Sequence, residues 1–75
     1  MKTFSVFLGA VDHIQRFASI ARCYPFDITL SQGDRVVDAK SVLGICCLDL
    51  MRPVSMVASS DDCGRLAEEL AGFLI

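Results

Sequence analysis

Few side chains in this 75-residue chain can do chemistry, and they fall in three places. The single histidine, His13, stands beside Asp12 and three residues before Arg16. Ser41 follows Lys40 and opens the apolar run Val42, Leu43, Ile45, Cys46, Cys47 and Leu48. Of the four cysteines, Cys46 and Cys47 are adjacent, which is awkward for bridging one another, and no pair has the two-residue spacing of a zinc knuckle. Reduced thiols without a metal or disulfide role are therefore expected. A thiol sensor built on Cys46 and Cys47 has little support, because neither has a histidine beside it in sequence and Lys40 lies a full turn or more away. No nucleophile is paired with a base, no paired acids mark a pocket, and no glycine-rich nucleotide loop is present, so nothing points to an autonomous enzyme or to a cofactor.

The elements that must hold these residues can be read from periodicity. Ser41 is a good N-cap, since its hydroxyl can accept from an amide of the first turn. The apolar run after it is too continuous for a short helix to bury, so part of it should face water or a partner. Ahead of it, Phe4, Val6 and Leu8 alternate with Thr3, Ser5 and Phe7 as a strand that Gly9 ends. Asp12 is expected to cap a first helix, with Gln15 completing a capping box, and Val11, Ile14, Phe17, Ala18 and Ala21 form its apolar stripe. Pro25 should stop that helix near Cys23. Phe26, Ile28 and Leu30 begin a second strand, Gln32-Gly33-Asp34 a turn, and Arg35 to Asp38 a third strand in a hairpin with the second. Val54, Met56 and Ala58 mark a fourth strand. Ser59 or Ser60 should cap a last helix with Asp61 and Asp62 in its first turn, a stripe of Cys63, Leu66, Ala67, Leu70 and Leu74, and a run to residue 75.

The order βαββαβα implies an α+β open-faced sandwich, a four-stranded, mainly antiparallel sheet covered on one face by three helices, in a single domain over residues 1–75. A hydrophobic share of 53% and a charged share of 21% are those of a folding globular chain. A net charge of -2 and a pI near 5.0 exclude a nucleic-acid binder, which needs a basic face. The apolar start, Phe4 to Val11, is broken by Ser5 and closed by Asp12 and His13, which suits a strand better than a signal peptide. No apolar run approaches the roughly 20 residues of a membrane span, so no membrane insertion is expected.

The pattern Ala39-Lys40-Ser41-Val42-Leu43-Gly44-Ile45, followed by Cys47-Leu48, resembles the regulatory-serine segment of HPr, the small phosphocarrier of the bacterial sugar phosphotransferase system. Lys2 to Val6, Arg16 with Ala18, Gly33, and Pro53 to Ser59 are similar to HPr less specifically. The resemblance implies the same sandwich fold, a cytoplasmic protein, and partners among phosphotransferase-system proteins, a regulatory protein or an HPr serine kinase. It also implies a phosphoacceptor histidine two residues before an arginine that precedes proline and alanine. Counted back from Arg16, that place holds Ile14, and Phe17 replaces the proline. Counted forward from Lys2, it holds His13. His13 is thus either a phosphoacceptor, with Arg16 as its cation, or a bystander. Ser41 keeps the whole frame of a regulatory phosphorylation site, and Val42, Leu43 and Cys46, with Arg16 at the edge, match the partner-binding patch, while Ile45 and Leu48 should point inward. The resemblance therefore implies a regulatory or docking variant impaired in histidine phosphotransfer, or alternatively a working phosphocarrier using His13.

Overall fold

A computed structural model describes residues 2–60 and 63–75. Its elements are β1 (Lys2–Val6), α1 (Asp12–Arg22), β2 (Ile28–Gln32), β3 (Arg35–Asp38), α2 (Val42–Ile45), β4 (Val54–Ala58) and α3 (Gly64–Glu69). The strands form one sheet in the order β1-β4-β2-β3, with each neighbouring pair antiparallel. This is the element order expected from periodicity. Because the first two strands in sequence are not neighbours, α1 crosses the sheet and leaves β4 to fill the gap.

Register explains which side chains are buried. Phe4, Met56, Leu30 and Val37 align across the sheet on the helix side. On the other side Ser5, Ser55, Ser31 and Val36 align in the same way. Val6, Ile28, Leu30, Val54, Met56 and Ala58 are buried against Ile14, Phe17, Ala18, Ala21, Leu66 and Leu70, and Phe4 is half-buried at the edge. Strand alternation and helical spacing meet here in one apolar layer, whose burial supplies the main drive to fold. The β2–β3 hairpin turns on Gly33 and Asp34, with Gly33 at φ +60 and Asp34 at negative φ, the pattern of a type II′ turn.

Several expectations change. Val11, expected in the apolar stripe of the first helix, lies just before α1 and is 68% exposed. Asp12 is the first residue of α1, and Val11 precedes it with helical angles and no side-chain cap, so the capping box with Gln15 does not form. Backbone carbonyls do that work instead: Ala10 accepts from the His13 N–H at 3.2 Å and Val11 from Ile14 at 3.0 Å. β2 starts at Ile28, because the chain at Tyr24 and Phe26 bends to turn both carbonyls to Lys40 Nζ, at 2.7 and 2.9 Å. Cys63 rather than Ser59 or Ser60 stands at the N-cap of α3. Ser59 is committed elsewhere, its Oγ accepting from Asp27 N–H and its own N–H donating to the Asp27 carbonyl. Asp61 and Asp62 lie outside the described residues. Finally, α3 stops at Glu69 instead of running on to residue 75. Residues 73–75 turn back along β1, where Phe73 O accepts from Phe7 N–H at 2.8 Å and Ile75 N–H donates to Ser5 O at 3.0 Å. Pairing two strand-edge groups outweighs another helical turn through Gly72.

Candidate functional site

The starts of α1 and α2 are brought together by two backbone features. Gly9, at φ +77, turns the chain out of β1, and its N–H donates to the Leu50 carbonyl at 2.8 Å, which draws the loop after α2 beside the start of α1. A side chain at Gly9 would also bring its Cβ within 2.9 Å of the Phe7 ring. Between the two helices lies a cleft of about 250 Å³ lined by Val11, Asp12, Ile14, Gln15, Val42 and Cys46.

Each residue of the serine segment has a structural task. Ser41 is extended, and its Oγ accepts from the Gly44 N–H at 3.1 Å, the N-cap expected from sequence. Lys40 N–H donates to Asp38 Oδ1 at 2.9 Å, and Ser41 N–H to the Asp38 carbonyl at 3.0 Å, which fixes the approach to the helix. A Cβ on Gly44 would lie 3.3 Å from Val37 Cβ and 3.4 Å from Ser41 Oγ, so glycine lets the helix sit on β3 with its cap intact. Lys40 reaches away from Ser41 to bind the Tyr24 and Phe26 carbonyls, while Arg22 Nε donates to the Lys40 carbonyl at 2.9 Å. At the other end of α2, Arg35 Nη1 donates to the Cys47 carbonyl. The segment is thus held at both ends, and its outward face is what remains available.

That face is apolar. Leu43 is 83% exposed, Val42 is half-buried, and Cys46 is exposed at the cleft, whereas Ile45 and Leu48 point into the core. Val11, 68% exposed, adds to it from the α1 side. Arg16 is exposed on α1 but does not line the cleft. All four cysteines are free, with Cys63 buried and Cys23, Cys46 and Cys47 exposed. Among the described residues no group of histidine, cysteine and acidic side chains could hold a metal.

His13 is not in the cleft. Its Nδ1 lies 2.5 Å from the Leu8 carbonyl, and its half-buried ring stands edge-on to Phe73 at 5.8 Å and 74°. A carbonyl only accepts, so Nδ1 is the donor in this bond. Nε2 makes no hydrogen bond within the described residues. Phe73 also packs edge-on to Phe17 at 5.5 Å, tying the imidazole to the core. Neither Phe73 nor the carbonyl contacts of Lys40 could be found from sequence, because helical spacing places residue 73 within a longer α3 and gives a lysine no direction.

No family model matches the chain, and no curated relative matches it by sequence. Among solved structures it is similar to HPr-C-His from Thermoanaerobacter tengcongensis, with a TM-score of 0.79 at 20% identity over 96% of this chain and 89% of that one. The fold is that of HPr, and among the described residues no helix is long and apolar enough to cross a membrane.

Proposed function

We propose that this protein is an HPr-like, cytoplasmic member of the sugar phosphotransferase system that acts as a regulatory or docking module and is impaired in histidine phosphotransfer. The observation that carries this reading is the placement of His13. A phosphohistidine carrier needs a ring nitrogen facing its donor, with helix-start amides and a cation to hold the phosphoryl oxygens. Here Nδ1 is turned inward to the Leu8 carbonyl, one flank of the ring rests on Phe73, and the His13 and Ile14 amides are spent on the Ala10 and Val11 carbonyls. The docking side is better furnished, with Leu43, Val42 and Cys46 displayed on a helix anchored at both ends. Ser41 serves such a module as a phosphorylation site for an HPr serine kinase, since a phosphate on a capping hydroxyl would alter this same face.

One observation favours the alternative, a working carrier: the bond to the Leu8 carbonyl engages Nδ1 and leaves Nε2 outside it. Partner binding separates folding from docking. With purified general phosphotransferase enzyme as the probe, Leu43→Glu should leave thermal stability unchanged and reduce binding at least tenfold, because a carboxylate would be desolvated where an exposed leucine docked. Unchanged binding by the folded variant would refute the docking surface, and loss of folding would place Leu43 in the core.

A further inference from the structure

We infer that residues 73–75 form a latch that sets the orientation of the His13 imidazole, and that drawing this segment off β1 releases the ring. The inference deepens the reading above, on which its regulatory meaning rests. The observations lie in one place. The segment meets β1 through a single bridge, Val6 with Leu74, flanked by the Phe73 and Ile75 backbone bonds at 2.8 and 3.0 Å. It buries Phe73, whose ring contacts both His13 and Phe17, and packs the half-buried Leu74 against the core. It is joined to α3 through the buried Leu70 and the exposed residues Ala71 and Gly72.

Three residues held by two strand bonds, the Phe73 ring and the half-buried Leu74 open at less cost than the sheet they border, and such elements supply bistable switches. When the segment is seated, Phe73 closes one flank of the imidazole and favours the Nδ1–H to Leu8 bond. When it lifts, that flank opens, the ring can turn, and Nδ1 exchanges the Leu8 carbonyl for water. A partner that gains more contacts with the lifted form than the seated one shifts the balance by that difference.

The chain contains one histidine, so its ring signals are unambiguous. The test is imidazole 15N NMR on the full chain and two variants. Ile75→Pro removes the donor to Ser5 O while changing a side chain that is 71% exposed. Phe73→Leu keeps an apolar side chain and removes the ring. Wild type should show the Nδ1–H tautomer. The released population should rise roughly two- to tenfold in Ile75→Pro, the factor expected when one backbone hydrogen bond is lost from the seated form, and further in Phe73→Leu. Wild-type ring signals in folded Ile75→Pro would overturn the latch, even if Phe73→Leu does not fold. Rapid phosphate uptake by wild-type protein would refute the docking reading separately, leaving the latch to stand or fall on the ring signals.

Discussion

Lys40→Met tests whether the lysine before Ser41 belongs to the architecture. Methionine keeps much of the apolar stem but deletes the ammonium that donates to Tyr24 O at 2.7 Å and Phe26 O at 2.9 Å. A hydrogen bond to a charged group contributes about 1.5–3 kcal/mol. The site is only part-buried, and water can reclaim some of what is lost, so the two bonds together are counted as one. For 75 residues at about 2.1 cal/mol/K each, the unfolding entropy is about 0.16 kcal/mol/K, and the loss converts to a fall in Tm of about 9–19 °C. Thermal unfolding followed by circular dichroism measures it, with Lys2→Met, at an exposed strand position, as the control. A fall of less than about 3 °C would refute the reasoning and return Lys40 to a role outside the fold.

Two other perturbations probe α3. Leu66→Ala empties a fully buried position on a six-residue helix that lacks a side-chain cap, and should cost about 2–5 kcal/mol of a total near 4–11 kcal/mol. Urea unfolding checks this, and a loss below about 1 kcal/mol with an unchanged m-value would show that α3 is not docked as described. Tyr24, the only tyrosine, donates its hydroxyl to Glu69 Oε1, and that bond to a carboxylate pushes its pKa up to about 12. With the folded value above the ordinary 10.0, the stability from this pair is complete below pH 10 and is lost as pH rises through about 12. Phenolate absorbance should report that midpoint, and Glu69→Gln should lower it; a midpoint near 10 in wild type would contradict the bond.

Where a local pattern fixes the outcome, sequence and structure agree. Strand alternation in Ile28 to Ser31 and Val54 to Ala58, and the helical stripe Ile14, Phe17, Ala18 and Ala21, are one-dimensional signals of the faces that end up buried. Ser41 was legible as a cap because the bond it makes spans only three residues. Features decided by partners distant in sequence were not. Lys40 finds carbonyls 14 and 16 residues away, and the stretch after Glu69 leaves helical geometry to satisfy Ser5 and Phe7, on a strand near the other end of the chain. Asp12 offered a cap, but the Ala10 and Val11 carbonyls were already in place to serve the same amides. At the site, the exposed Leu43 followed from a run too apolar to bury, whereas the direction of His13 depended on Leu8 and Phe73 together.

A histidine fixed in this way should not carry phosphate at a useful rate. Incubation with the general phosphotransferase enzyme and phosphoenolpyruvate, followed by intact mass before and after acid treatment, tests it most directly. No acid-labile phosphate is expected on the wild-type chain over the time in which a working carrier is fully labelled. Rapid acid-labile labelling that disappears in His13→Ala would contradict it and make the protein a phosphocarrier.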